Sequence, residues 1–172
     1  MASTMTFPSR PSTWWEPSTR RWRTPNAWRK NSSAAKAMIP EKIKFEILTP
    51  TRKLFSSEVT AVRVPGAGGY FGVYPGHTPF VATLQTGEVK VQIDDQYRYF
   101  ATNGGFIEVL PDSVSIMADA AEAAESIDLK RAEEARARAL KRIKEGRKAW
   151  DVPRAQAALA RAMNRIQVAA KL

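Results

Sequence analysis

Residues 126–143 read SIDLKRAEEARARALKRI, and at this stretch the hydrophobic pattern changes from the period of a strand to that of a helix. With 100° per residue, one helical face carries Leu129, Ala132, Ala135, Ala139, Leu140 and Ile143. Ser126 is predicted to cap a helix that begins at Ile127, with Asp128 in its first turn. The stretch therefore predicts that a helical part of the chain follows a part made of β-strands.

Downstream, a second helix is predicted after a break at Gly146. Asp151 is a suitable N-cap, and Pro153 is tolerated in a first turn. The apolar stripe of this helix consists of Ala155, Ala158, Leu159, Ala162, Met163, Ile166 and Ala170. Two helices of about 18 residues with a short loop form an αα-hairpin. Because its seam is mostly alanine, the contact should be close but should bury little apolar area.

Upstream, residues 38–125 show the alternation of half-buried strands. Ile43, Phe45 and Ile47 alternate with polar residues. Further short strands are predicted at 59–64, 70–74, 80–84, 89–93, 97–102, 106–110 and 114–118. Eight of the nine glycines lie between positions 66 and 105, where they favour turns. The predicted fold class is α+β, with an N-terminal antiparallel β-sandwich followed by a C-terminal antiparallel two-helix hairpin.

The net charge of +10 is distributed unevenly over the 172 residues. Residues 1–37 carry +6, residues 38–125 carry −4 and residues 126–172 carry +8. These boundaries divide the chain into an N-terminal extension, an acidic sandwich and a basic hairpin. A basic surface suggests an acidic partner, which is nucleic acid, a membrane surface or an acidic protein face.

The extension, residues 1–37, lacks the composition of a packed core and is predicted to be disordered or non-native. It contains four of the five tryptophans and the sequence RRWR at 20–23. Its low acid content and abundant Arg and Ser suit an organellar transit peptide. Arg and Trp together also suit a nucleic-acid-binding tail. A third interpretation is that the segment does not belong to the mature protein, which then begins at Met38.

Several kinds of catalytic site have no support in the sequence. The absence of Cys excludes thiol nucleophiles and Cys-ligated zinc, and a single His excludes a multi-His metal site. The glycines between 66 and 72 are not followed by the Lys and helix of a phosphate loop, so a hairpin turn is expected. His77 is expected to be a turn histidine that backbone groups satisfy.

Four arginines form the one candidate binding constellation. Arg131 and Arg138 lie on nearly the same side of the first predicted helix, and Arg161 and Arg165 lie on one side of the second. In a folded hairpin, the forked guanidiniums suit a polyphosphate, and the nearby carboxylates suit a base amino group. The alternative is a solvated basic face with local pairs such as Glu134–Arg138.

From about Lys42 to Leu172 the chain resembles the epsilon subunits of F-type ATP synthases. The residues that carry the resemblance are ILTP at 47–50, GVYPGHTP at 72–79, NGGFIEV at 103–109 and RAMNRI at 161–166. The nucleotide-binding pattern of the family appears as IDLKRA at 127–132. The resemblance implies that ATP is a regulatory ligand and not a substrate, with no metal required by the sequence. The implied ATP-binding residues are Glu122, Ile127, Asp128, Arg131, Ala132, Arg138, Arg161 and Arg165.

The resemblance also implies a non-catalytic rotor subunit in the central stalk. Its sandwich would bind the gamma subunit and the c-ring, and its hairpin, when extended, would reach the alpha–beta hexamer and block ATP hydrolysis. The expected location is peripheral, on the cytoplasmic face of the bacterial plasma membrane, with membrane association only through the complex. An organellar inner or thylakoid membrane is expected instead if residues 1–37 are a transit peptide. Two alternative functions are a nucleic-acid-binding protein and a purely structural stalk subunit without nucleotide binding.

Overall fold

The computed structural model describes residues 40–147 and 149–172. The predictions for residues 1–37 therefore lie outside the described residues. The strands are β1 Ile43–Leu48, β2 Lys53–Val59, β3 Ala61–Gly66, β4 Gly69–Val73, β5 Phe80–Ile93, β6 Gln96–Val109, β7 Ser113–Ala118 and β8 Ala121–Ala123. A 3-10 turn at Ala124–Ser126 leads into helices α1 Leu129–Glu145 and α2 Val152–Ala169. Neither helix is long and apolar enough to cross a bilayer.

The strands hydrogen-bond in the order β2-β1-β7-β6-β5-β3-β4, and β8 adds to β6. β5 and β6 pair over almost their whole lengths, from Phe80 opposite Val109 to Ile93 opposite Gln96. The prediction of a β-sandwich followed by a two-helix hairpin is confirmed, and one strand pair in the otherwise antiparallel sheet is parallel. β1 and β7 run parallel, which is possible because a long connection that contains β2 to β6 joins them.

The core is formed by the alternating residues that the sequence indicated. In β1, Ile43, Phe45 and Ile47 are at most 1 % exposed, and they pack with buried valines and isoleucines of the other strands. The division of β5 and β6 into four short strands is wrong, because both continue through their polar and glycine-rich middles. Asp94 and Asp95 form the turn that connects β5 and β6.

The helix caps agree with the sequence at one end of the hairpin and differ at the other. Asp151 caps α2 by accepting a hydrogen bond from the backbone N of Arg154, as predicted. Asp128, and not Ser126, caps α1 by accepting from the backbone N of Arg131. The Ser126 hydroxyl instead donates to the Ala123 carbonyl in the 3-10 turn, and this turn delays the start of the helix by two residues.

The seam between the helices is narrower than predicted. Its buried residues are alanines: Ala132 and Ala139 in α1, and Ala155 and Ala162 in α2. By contrast, the predicted stripe members Leu129, Leu140 and Met163 are 38–46 % exposed. The helix α2 has a second buried face, which packs against β5, β6 and the 3-10 turn. Thus α2 lies between the sandwich and α1.

Candidate functional site

A cleft of about 460 Å³ lies where the hairpin meets the sandwich. Its lining residues are Arg52, Glu122, Ser126, Asp128, Arg131, Ala132, Ala135, Arg138 and Arg165. They come from the β1–β2 turn, β8, the connection to the hairpin, and both helices. The cleft is therefore complete only while both helices are folded onto the sandwich.

The structure brings six of the eight predicted site residues together. Glu122, Asp128, Arg131, Ala132, Arg138 and Arg165 all line the cleft. Ile127 instead packs against the small apolar cluster of Ala101, Ala124 and Val168, where α2 meets the sandwich. Arg161 is half-buried one turn before Arg165, but it does not line the cleft.

Arg52 is the one charged residue of the cleft that the sequence did not indicate as a site residue. It lies in the turn after β1, more than 75 residues before the hairpin arginines. The local sequence, Thr-Pro-Thr-Arg-Lys at 49–53, has the composition of a turn. Only the tertiary structure shows that this turn faces the N-terminal part of α1.

Arg165 and Glu122 connect α2 to β8 across the base of the cleft. The Nε and Nη2 atoms of Arg165 donate to Oε1 of Glu122 at 3.0 and 2.8 Å. Their side chains are 27 % and 36 % exposed, so the pair is partly shielded from water. A forked, charge-assisted contact of this kind fixes the direction of the guanidinium and thereby orders one wall of the cleft.

Arg138 takes part in the local pair that the sequence suggested. Its Nη1 lies 3.5 Å from Oε2 of Glu134, and both side chains are more than half exposed. Such exposed pairs contribute about 0.5 kcal/mol or less. Because this pair is weak, Arg138 can leave Glu134 and bind a ligand. The side chain can therefore form a solvated ion pair in the absence of a ligand and still serve as a binding residue.

The charges of the cleft favour an anion. Four guanidiniums face two carboxylates, and one of these, Asp128, already accepts the helix-capping hydrogen bond. The remaining oxygens of Asp128 and Glu122 can accept hydrogen bonds from an amino group. A volume of this size accommodates a drug-sized ligand. The residues present thus fit a nucleotide with a polyphosphate chain.

Two features outside the cleft agree with their predicted structural roles. The glycines between β3 and β4 form a hairpin turn, with Gly66 paired to Gly69. His77 has its Nδ1 2.8 Å from the Thr78 carbonyl oxygen. Within residues 40–147 and 149–172, no cluster of three or more His, Cys, Asp or Glu side chains is arranged to hold a metal ion.

Two family models match the chain. The model of the ATP synthase delta/epsilon chain β-sandwich domain matches residues 42–124, and that of the long α-helix domain matches residues 125–170. The chain is 50 % identical over 105 residues to the ATP synthase epsilon chain of Syntrophobacter fumaroxidans, covering 61 % of this chain and 78 % of the relative. It is 45 % identical over 101 residues to the ATP synthase epsilon chain of Bacillus subtilis, covering 59 % and 76 %.

A solved structure shares the fold. It is a chain in the cryo-EM structure of the Euglena gracilis mitochondrial ATP synthase (OSCP/F1/c-ring), with a TM-score of 0.68 and 20 % sequence identity. The alignment covers 95 % of this chain and 100 % of that chain.

Proposed function

The chain belongs to the ATP synthase delta/epsilon chain family, and from this premise we propose that its hairpin is an ATP-regulated part of the central stalk. The chain is an epsilon subunit of ATP synthase, as the family match and its bacterial relatives indicate. In the proposed mechanism, ATP binds the cleft as a regulatory ligand. The folded hairpin permits hydrolysis by the complex, and the extended hairpin inhibits it.

The assembly of the cleft from the sandwich, the connection to the hairpin and both helices carries this proposal. A ligand shifts a conformational equilibrium only by its difference in affinity for the two states. Extension of the hairpin would separate Arg131 and Arg138 on α1 from Glu122 on the sandwich, and the site would be lost. A ligand specific for the folded state at a hundred times its Kd stabilises that state by about 2.7 kcal/mol.

The side chains of the cleft divide by charge into two roles. Arg131, Arg138 and Arg165 bind the phosphates, since guanidiniums form bidentate contacts with phosphate oxygens. Glu122 and Asp128 accept hydrogen bonds from the amino group of the base. Arg161 lies one turn from Arg165 on α2, and we expect its side chain to reach the phosphates by a change of rotamer.

In the assembled complex, we propose that the sandwich binds the gamma subunit and the c-ring. The hairpin, when extended, lies against the alpha–beta hexamer. The exposed cations of α1, which include Arg136, Lys141 and Lys144, suit an acidic protein face there. The subunit itself is proposed to be non-catalytic and peripheral, on the cytoplasmic face of a bacterial plasma membrane.

Isothermal titration calorimetry of the full chain with ATP tests the nucleotide site. We expect Arg131→Gln and Arg138→Gln each to weaken ATP binding by about tenfold or more, because each removes a charge-assisted contact. Arg136→Gln is the matched control, since Arg136 is an exposed cation on the same helix that does not line the cleft.

The control should bind ATP with an affinity close to that of the unmodified chain. If the unmodified chain does not bind ATP, the subunit is a purely structural stalk component. Equal losses in all three variants would indicate a general effect of charge and would contradict the proposed site.

A further inference from the structure

We propose that Arg52, on the sandwich, is a further phosphate-binding residue of the cleft and ties the bound nucleotide directly to the sandwich. This inference rests on the proposed nucleotide site and adds to it a residue far from the hairpin in sequence. It would make the ligand a bridge between the two parts of the protein. Four observations support it: the hydrogen bonds that fix the turn, the ion pair of the neighbouring lysine, the ion pairs of the cleft arginines and the packing of α1.

The backbone of Arg52 is held in place by a tight turn. The Thr49 backbone N donates to the Arg52 carbonyl at 2.9 Å. The Thr49 hydroxyl donates to the same carbonyl at 2.8 Å and accepts from the Arg52 backbone N at 3.2 Å. Three hydrogen bonds within four residues fix the point from which the side chain of Arg52 extends, which lowers the entropic cost of binding.

The neighbouring cation, Lys53, forms an ion pair within the sheet. Its Nζ donates to Oε1 of Glu46 at 2.9 Å, and the Ser56 hydroxyl donates to the same oxygen at 3.1 Å. The hydrogen bonds from Lys53 and Ser56 lower the pKa of the Glu46 carboxyl. Lys53 does not line the cleft, whereas Arg52 does. The two adjacent cations therefore have different roles, and Lys53 provides a natural control for Arg52.

Among the four cleft arginines, the guanidiniums of Arg52 and Arg131 form no ion pair with a carboxylate in the described part of the chain, whereas Arg165 pairs with Glu122 and Arg138 with Glu134. The two unneutralised guanidiniums come from different walls, Arg52 from the sandwich and Arg131 from α1. Like charges that share a cleft repel each other until an anion lies between them. A polyphosphate can accept hydrogen bonds from both groups at once.

The packing of α1 gives this bridge a structural consequence. The seam of α1 is buried against α2, and α2 supplies the main packing onto β5 and β6. A phosphate chain bound by both Arg52 and Arg131 would link α1 to the sandwich without passing through α2. ATP would then stabilise two contacts at once, between the helices and between α1 and the sandwich.

The test compares Arg52→Gln with Lys53→Gln by calorimetry of the full chain with ATP. The two variants remove one positive charge each from adjacent positions, but only Arg52 lines the cleft. We expect Arg52→Gln to weaken ATP binding by about tenfold or more, as the loss of a charge-assisted hydrogen bond predicts. Lys53→Gln should stay within about twofold, because exposed charges away from the ligand are screened.

Arg131→Gln in the same experiment separates this inference from the proposed site. If Arg131→Gln weakens binding and Arg52→Gln does not, the site stands and the role of Arg52 is overturned. Equal losses in Arg52→Gln and Lys53→Gln would also overturn it, since the effect would then come from net charge alone. The unliganded Arg52→Gln variant should melt at the temperature of the unmodified chain, because the Arg52 side chain is exposed and makes no ion pair within the described residues.

Discussion

At the scale of single residues, Gly105 shows most directly how backbone geometry restricts the sequence. It lies in β6 opposite Ala118, with a φ of +119°. A Cβ at this position would collide with the Met117 carbonyl oxygen and would lie 2.8 Å from the Ala118 Cα. Both the dihedral angle and the close approach of β7 therefore require glycine.

We expect Gly105→Ala to lower the free energy of unfolding by more than about 1 kcal/mol, because it adds both backbone strain and a collision with the backbone of β7. Gly68→Ala is the matched control, since a Cβ at Gly68 meets no atom within 4 Å and Gly68 does not have a positive φ. Urea unfolding monitored by circular dichroism measures both variants. Equal midpoints for the two variants would show that β7 accommodates the methyl group.

Residue-scale features were predictable from the sequence where local interactions decide them. Asp151 as a cap and His77 as a turn residue follow from neighbours only a few positions away. Ser126 and Asp128 are both good cap residues, and the choice between them depends on the 3-10 turn, whose Ala124 is buried against the sandwich. Arg52 was not predictable, because its approach to α1 depends on how the whole sheet folds.

At the scale of elements, a small polar contact joins α2 to the sandwich. Asn164 is 7 % exposed, and its Nδ2 donates to the Gly87 carbonyl at 2.9 Å and to the Thr102 carbonyl at 3.2 Å. One amide thus connects the helix to both β5 and β6. Near the end of the helix, Lys171 adds an ion pair of 2.7 Å with Glu88, whose side chain is 9 % exposed.

We expect Asn164→Ala to weaken the docking of the hairpin by about 1–3 kcal/mol, because two buried carbonyls lose a donor. Hydrogen–deuterium exchange of the α2 amides measures this effect, and the exchange should become faster. Gln167→Ala is the control, since Gln167 is exposed on the same helix. Unchanged α2 exchange in Asn164→Ala would show that apolar contacts such as those of Val168 are sufficient for docking.

The elements also show where periodicity is an incomplete guide. The sequence predicts separate strands at 80–84 and 89–93, and Gly87 lies between them. In the structure, β5 continues through Gly87, and a Cβ there would lie 2.5 Å from Cβ of Pro65. Gly87 is therefore required by close packing, not by a turn. On α2, the alanine stripe predicts the seam with α1. The second buried face was not predicted, because it contains the polar residue Asn164.

At the scale of the whole molecule, the charge is divided unevenly between the sandwich and the hairpin. The sandwich segment is acidic, at −4, and the hairpin segment is basic, at +8. The folded state places hairpin cations beside sandwich carboxylates in the pairs Arg165–Glu122 and Lys171–Glu88. The extended state would give up these pairs and would need an acidic partner surface to compensate.

The folded and extended states are proposed to have opposite effects on ATP hydrolysis by the assembled complex, and Asn164→Ala tests this proposal. A loss of 1–3 kcal/mol in docking corresponds to about a 5–150-fold shift toward the extended state. We therefore expect slower hydrolysis at limiting ATP and a higher ATP concentration for relief of inhibition, because the ligand binds only the smaller folded fraction. Gln167→Ala should hydrolyse ATP at the unmodified rate. If the exchange of the α2 amides is faster but ATP hydrolysis by the Asn164→Ala complex is unchanged, release of the hairpin does not cause inhibition. That outcome would contradict the regulatory role.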